Sequence, residues 1–281
     1  DAGDIGALTQ ASKAIRQRIE AAPLPPDVEA AILAAHAKLL GTGADDPVAV
    51  RSSATTEDSA DASFAGLQDT YLWVKGATET VAAVRRCWAS LYSAPSLGYR
   101  LKHAMPEAGV AMGVVVQRMV DARSAGVMFT RSPTSGDRSV VTIEASWGLG
   151  SAVVGGEVTP DRFVIGKITR EISSRTISDK RIEHIPAPSG GVQEAAVDEP
   201  RRQAPAVSDD ELMVLADLAK IVEALYGRPQ DIEWAIERDT GEIFLLQSRP
   251  ETVWANRDRA PVAKPAASAM DHVLNLFGGK R

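Results

Sequence analysis

The feature that most constrains the fold of this chain is a change of hydrophobic period at Val110. Before it, residues 4 to 22, 27 to 40 and 78 to 92 repeat their apolar side chains at helical spacing, the last with Val81, Val84, Trp88 and Leu91 on one face. After it the period becomes two: Val114 to Met119, Ala125 to Thr130 and Val140 to Ala145 read as strands of one antiparallel sheet, separated by turn residues at Asp121-Ala122-Arg123 and Ser135-Gly136-Asp137. The first part is not purely helical, because Val48-Ala49-Val50-Arg51 reads as a short buried strand and alternation returns over Asp69 to Val74. The fold class is therefore α+β, in segments 1–110, 111–254 and a linker with a short amphipathic tail at 255–281.

Pro23, Pro25 and Pro26 separate the first two helices, since proline removes a donor and clashes with the preceding turn. Residues 186 to 206, rich in Pro, Gly, Ala and Gln without a period, read as a surface loop. Ser208 followed three positions on by Glu211 is a capping box, and Leu212, Leu215, Ala219 and Val222 give its helix a buried stripe that should end near Gly227. Ile232 to Ile236 and Ile243 to Gln247 then pair as a hairpin across Arg238-Asp239-Thr240-Gly241.

A formal net charge of −6 excludes a protein whose main task is coating nucleic acid, which needs a clustered basic surface. No apolar run approaches the roughly 20 residues of a membrane-spanning helix. The single cysteine, Cys87, cannot form an intrachain disulfide, which makes the cytoplasm the expected setting and core packing the expected role of this thiol. His36, His103, His184 and His272 have no nucleophile or ligand partner near them in sequence, so none is expected to do chemistry.

Chemistry enters at the strand ends. In the hairpin, Glu233 and Gln247 present oxygen atoms from neighbouring strands, and Arg249 returns to the face of Gln247 because strand side chains alternate. Hard oxygens beside a guanidinium suit a divalent cation and a polyphosphate. The same spacing also fits a surface ribbon with a cross-strand Glu and Arg pair. Arg51, ending an apolar strand, can fork onto phosphate oxygens or pair structurally with Glu57 or Asp58. Gly148, Gly150, Gly155 and Gly156 fit neither the dinucleotide nor the P-loop spacing, and serve equally well as turns.

The segments Val48-Ala49-Val50-Arg51-Ser52-Ser53-Ala54, Phe64-Ala65-Gly66, Ala125-Gly126-Val127-Met128-Phe129-Thr130, Ile143-Glu144-Ala145-Ser146-Trp147-Gly148-Leu149-Gly150, Gly156-Glu157-Val158-Thr159-Pro160-Asp161, Asp231-Ile232-Glu233-Trp234 and Gln247-Ser248-Arg249-Pro250-Glu251-Thr252 follow one another in order. Together they closely resemble the ATP-binding domain of the phosphoenolpyruvate synthase, pyruvate phosphate dikinase and rifampicin phosphotransferase family, over most of residues 48 to 254. The resemblance implies an ATP-grasp fold with the nucleotide between two lobes, 1–110 and 111–254, the first without its N-terminal edge. It implies phosphate contacts for Arg51, Gly66, Thr70 and Arg249, nucleotide contacts for Gln117 and Glu144, and Mg2+ ligation by Glu233 and Gln247, with Arg51 and Arg249 as the catalytic pair. Ser151 departs from the resemblance, since relatives usually carry a glutamate there; so does Arg131-Ser132-Pro133, where an acidic or amide residue is common.

The resemblance further implies transfer of the β-phosphoryl group of ATP to a histidine on a swivelling domain, with release of AMP and phosphate. Residues 1–281 hold neither that domain's threonine-rich histidine motif nor the family's Gly-Gly-Lys-Gly type opening segment. The expectation is therefore the MgATP-binding part of a split dikinase, partnered by a histidine-bearing phosphocarrier domain or subunit, with a small-molecule acceptor elsewhere. The alternatives are a fragment of a single-chain phosphoenolpyruvate synthase or rifampicin phosphotransferase, and a non-catalytic nucleotide-binding module.

Overall fold

The computed structural model describes residues 4–41, 43, 45–54, 58–59, 62–63, 69–105 and 110–254. Gly66 and the tail at 255–281 lie outside the described residues. Two helices open the chain. In α1 (Ile5–Ala21) the Asp4 carboxylate accepts the Ala7 amide as an N-cap, and α2 (Pro26–Leu40) starts on Pro26, whose missing N–H costs nothing at a first helical position. The proline turn thus ends one residue earlier than its sequence suggests.

Strands β1 (Val48–Ala54), β4 (Thr70–Val74) and β5 (Met112–Arg118) form a three-stranded sheet in the order β4-β1-β5, while the short β2 (Asp58–Ser59) and β3 (Ala62–Ser63) pair only with each other. Val48, Val50 and Val74 pack against Leu40 of α2 and against Val84 and Cys87 of α3 (Ala77–Ser90). A further helix, α4 (Ala94–Lys102), is capped by Ser93; Pro95 and Gly98 interrupt its apolar period, which hid it in the sequence. The strand at β5, expected in one sheet with the strands that follow it, instead pairs along its whole length with β1. Strand propensity is local, but partner choice is set by which apolar face finds a mate.

Cys87 is fully buried, its thiol directed at the Val50 carbonyl 3.6 Å away. Burial pushes the thiol up to about 12, with Asp69 adding to the rise and Arg86 opposing it. At pH 8 the native thiol is expected to react with iodoacetamide about a thousandfold more slowly than in denaturant, because the thiolate is the nucleophile. Comparable rates in the two states would show that the site is open.

The second sheet is six-stranded and wholly antiparallel, in the order β13-β12-β6-β7-β8-β9. Its strands are β6 (Ala122–Phe129), β7 (Val140–Trp147), β8 (Asp161–Gly166), β9 (Ile172–Thr176), β12 (Gln230–Glu237) and β13 (Ile243–Pro250). Alternation sends Met128, Ile143, Phe163, Ile232 and Trp234 to one face, where Leu212, Leu215, Ala219 and Val222 of α7 (Asp209–Tyr226) cover them. Each large side chain so buried contributes roughly 1.5–3 kcal/mol. The capping box at Ser208 and Glu211 is made in both directions, and the helix ends at Gly227 with φ +66°.

A one-turn helix, α5 (Ser151–Val154), lies between β7 and β8. Residues 186 to 206, expected as a surface loop, carry more structure than that. β10 (Ile182–Pro186) and β11 (Val192–Ala196) form a hairpin, turned by Gly190 and Gly191 at φ +93° and +80°, and α6 (Glu199–Arg202) follows. The hairpin is anchored at its base by Lys180, fully buried, which donates to Asp161 at 2.6 Å and to the Ser178 carbonyl at 3.0 Å. No helix among the described residues is long and apolar enough to cross a membrane.

Candidate functional site

The uncovered face of the six-stranded sheet and the three-stranded sheet enclose a cleft of about 680 Å³. Alternation in β1 decides what reaches it: Val48 and Val50 enter the core, so Ala49 and Arg51 face the cleft. The Arg51 guanidinium crosses it, donating to Glu233 at 2.5 Å and to the side-chain oxygen of Gln247. Glu233 and Gln247 are direct partners in the β12–β13 register. A bulge beside Glu233 inserts Leu246 as an extra residue of β13, and both Leu246 and Gln247 line the cleft.

The other expected residues group around this contact. Thr70 is the β4 partner of Arg51, and Gln117 is the β5 partner of Ala49 and donates to the Leu246 carbonyl at 3.3 Å. Both line the cleft, as does Arg249, whose guanidinium lies 3.5 Å from its cross-strand partner Asp231. Gly66, Glu57 and the Asp58 side chain, the last two being the alternative partners of Arg51, lie outside the described residues. Glu144 shares the cleft-side face of the sheet with Glu233 but stands two strands away, beyond Val127, at about 9–10 Å by strand spacing. It lies off the cleft opposite Arg162, and burial raises its carboxyl while Arg162 counteracts the rise.

Burial also raises the carboxyl of Asp231 above its usual 3.8, against the pull of Arg249 and with a further push from Glu251. One Asp231 oxygen is buried without a hydrogen-bond donor. A carboxyl whose folded pKa is raised binds more protons in the folded state, so its contribution to stability declines as pH rises from about 3.8 to the folded value and stays lost above it. In urea titrations from pH 4 to 7, the stability gap between Asp231→Asn and the parent is expected to widen as pH rises. A gap independent of pH would contradict the assignment.

One contact escaped the sequence reading. His184, expected to have no functional neighbour, lies in β10 with Nδ1 2.7 Å from the Ser151 hydroxyl and Nε2 3.3 Å from the Glu157 carboxylate. The contact is built by backbone: the Leu149 amide donates to the His184 carbonyl at 2.8 Å. Gly148 sits at φ +71°, where a Cβ would fall 2.4 Å from that same carbonyl. The glycine run was visible in the sequence; the contact of the adjoining Ser151 with His184, 33 residues on, was not.

The oxygens of Glu233 and Gln247 converge on one cationic group, the Arg51 guanidinium, which is the arrangement a cation bound by hard oxygen ligands requires. Among the described residues no cluster of three or more His, Cys, Asp or Glu could hold a metal by itself, so such a cation would take its remaining ligands from phosphate and water. A cleft between two sheets in an α+β protein, lined by guanidinium groups, a carboxylate–amide pair and apolar Leu149 and Leu246, suits an anionic ligand that also carries an apolar ring. Residues 1–270 match the pyruvate phosphate dikinase AMP/ATP-binding domain, and the chain belongs to that family.

Its similarity to whole proteins runs the same way. A phosphoenolpyruvate synthase of Aeropyrum pernix is 44% identical over 91% of this chain and 35% of its own length. A probable phosphoenolpyruvate synthase of Staphylothermus marinus is 40% identical over 95% and 35% respectively. A rifampicin phosphotransferase of a Streptomyces species is 43% identical over 90% of this chain and 28% of its own. The chain therefore spans about a third or less of the length of these relatives.

Proposed function

We propose that this chain is the MgATP-binding part of a dikinase-type phosphotransferase, with the cleft between its two sheets as the nucleotide site. The observation that carries the reading is the convergence of Arg51, Glu233 and Gln247 across the cleft, from strands 182 and 196 residues apart. In this reading the sheets are the cores of two ATP-grasp lobes joined near Met119–Asp121. Glu233 and Gln247 hold Mg2+, which when bound neutralises phosphate charge. Arg51 and Arg249 bind phosphate oxygens through planar, forked donors, and Thr70 and Gln117 contact the nucleotide.

The phosphotransfer that follows is from ATP to a histidine of a phosphocarrier domain or subunit. The bond between the α- and β-phosphates breaks, the histidine nitrogen takes the β-phosphoryl group, AMP departs, and the γ-phosphate is released by water. The coverage of the relatives favours a second setting for the same site, inside a longer chain like phosphoenolpyruvate synthase or rifampicin phosphotransferase.

The test is incubation of the full chain with MgATP and the histidine domain of a relative such as the Aeropyrum pernix synthase. AMP together with an acid-labile, base-stable phosphohistidine is expected. ADP as the sole nucleotide product would overturn the dikinase reading, and calorimetry without any MgATP binding would overturn the nucleotide reading itself.

A further inference from the structure

We propose that Ser151 is a specificity-determining residue of the cleft: a hydroxyl held as a hydrogen-bond acceptor by His184 and Glu157, which selects a ribonucleotide over its deoxy counterparts. The inference rests on the reading of the cleft as a nucleotide site.

The polarity of the chain follows from its outer end. Glu157 lies half in solvent with a carboxylate oxygen 3.3 Å from His184 Nε2, and a carboxylate beside that nitrogen favours the tautomer that carries its hydrogen there. In a neutral imidazole the second nitrogen is then bare, and Nδ1 can only accept. In that tautomer the Ser151 hydroxyl, 2.7 Å away, donates its single proton there. Its remaining capacity is two lone pairs. Ser151 therefore offers the cleft an acceptor only, although serine in water serves as donor and acceptor alike.

Position decides which donor on the ligand meets it. Ser151 follows Leu149 and Gly150. Leu149 belongs to the apolar cluster with Ala125, Ala235 and Leu246, which suits a nucleobase. Gly150 lies over Ala125 and Gly126, and the next residue of that strand, Val127, is the partner of Glu233 at the phosphate end. Thr70, at the phosphate end, lines the same neighbouring cavity as Ser151. An acceptor between the base end and the phosphate end faces the sugar, whose 2′ and 3′ hydroxyls are the donors available there. A deoxy sugar leaves the Ser151 lone pairs without a partner, and a site built to accept a hydroxyl rejects the analogue that lacks it.

Two measurements decide the matter. In the free protein, the imidazole 15N and 1H shifts of His184 at pH 8 are expected to show hydrogen on Nε2 and a bare Nδ1, and Glu157→Gln should move population toward the other tautomer. A proton resident on Nδ1, in either the neutral or the charged ring, overturns the proposal without reference to any nucleotide.

In binding titrations, ATP is expected to bind about five- to tenfold more tightly than 2′-deoxy-ATP or 3′-deoxy-ATP, the effect of one hydrogen bond. Ser151→Ala and His184→Phe should each bring that ratio to within about twofold, while purine riboside triphosphate, which keeps the sugar and lacks the amino group, should be discriminated against equally by parent and variants. ATP binding with no sugar discrimination, or discrimination that survives in Ser151→Ala, overturns the proposal and leaves the nucleotide site standing. Failure of every nucleotide to bind overturns the site.

Discussion

Arg51→Ala is expected to weaken MgATP binding roughly a hundredfold, about 3 kcal/mol, without weakening the binding of the metal alone. The first half follows from desolvation: Arg51 is largely shielded, with its side chain 18% exposed, and its planar donors have no replacement on β1, where Ser52 and Ser53 follow it. The second half follows from competition. In the free protein the guanidinium already occupies the Glu233 carboxylate and the Gln247 oxygen, so a cation arriving without phosphate must displace it. Removing it frees both oxygens, and Mn2+ affinity measured without nucleotide should stay level or rise.

Arg51→Lys separates charge from geometry, because lysine keeps the cation and loses the fork. It should recover only part of the lost affinity. MgATP bound within threefold of the parent by Arg51→Ala would remove this residue from the site. Glu233→Ala gives the complementary result, a nucleotide affinity that no longer responds to magnesium.

The second large effect is on stability. Lys180→Met is expected to cost about 3–5 kcal/mol, since it leaves a buried carboxylate without its counter-ion. Asp161 accepts the Lys180 ammonium, the Ser178 amide at 2.9 Å and the Ala206 amide at 2.8 Å, and both charged side chains are wholly inaccessible. The methionine fills the space of the lysine stem, so the loss reports the charge more than a cavity. Adding Asp161→Asn should return part of the stability, because the asparagine carries no charge to leave unpaired. A shift in the urea midpoint equivalent to less than about 1 kcal/mol for Lys180→Met would show that water reaches the pair. Since β10 starts two residues after Lys180, the single variant should also loosen the His184 contact to Ser151.

Much of this architecture was readable from residues close in sequence. Ser208, Glu211 and Gly227 mark both ends of α7 because a cap is a contact between neighbours three positions apart. The β12–β13 hairpin follows from period-two alternation around one tight turn, whereas the direct opposition of Glu233 and Gln247 needs the bulge at Leu246, which no period announces. The order of the motifs between Val48 and Thr252 pointed to the family to which the chain belongs.

What the tertiary structure alone decided lies at longer range. The pairing of β5 with β1, the hairpin inside residues 186 to 206, and the passage of Arg51 over 182 residues to Glu233 depend on which faces remain uncovered once the sheets have formed. His184 was dismissed because its neighbours in sequence offer no chemistry; the partners it has, Ser151 and Glu157, arrive through a glycine turn lying on β10. A period of 2 or 3.6 assigns each side chain a face, and it carries no information about the surface that face will meet. The elements were therefore written in the local pattern, and the site was made by packing them together.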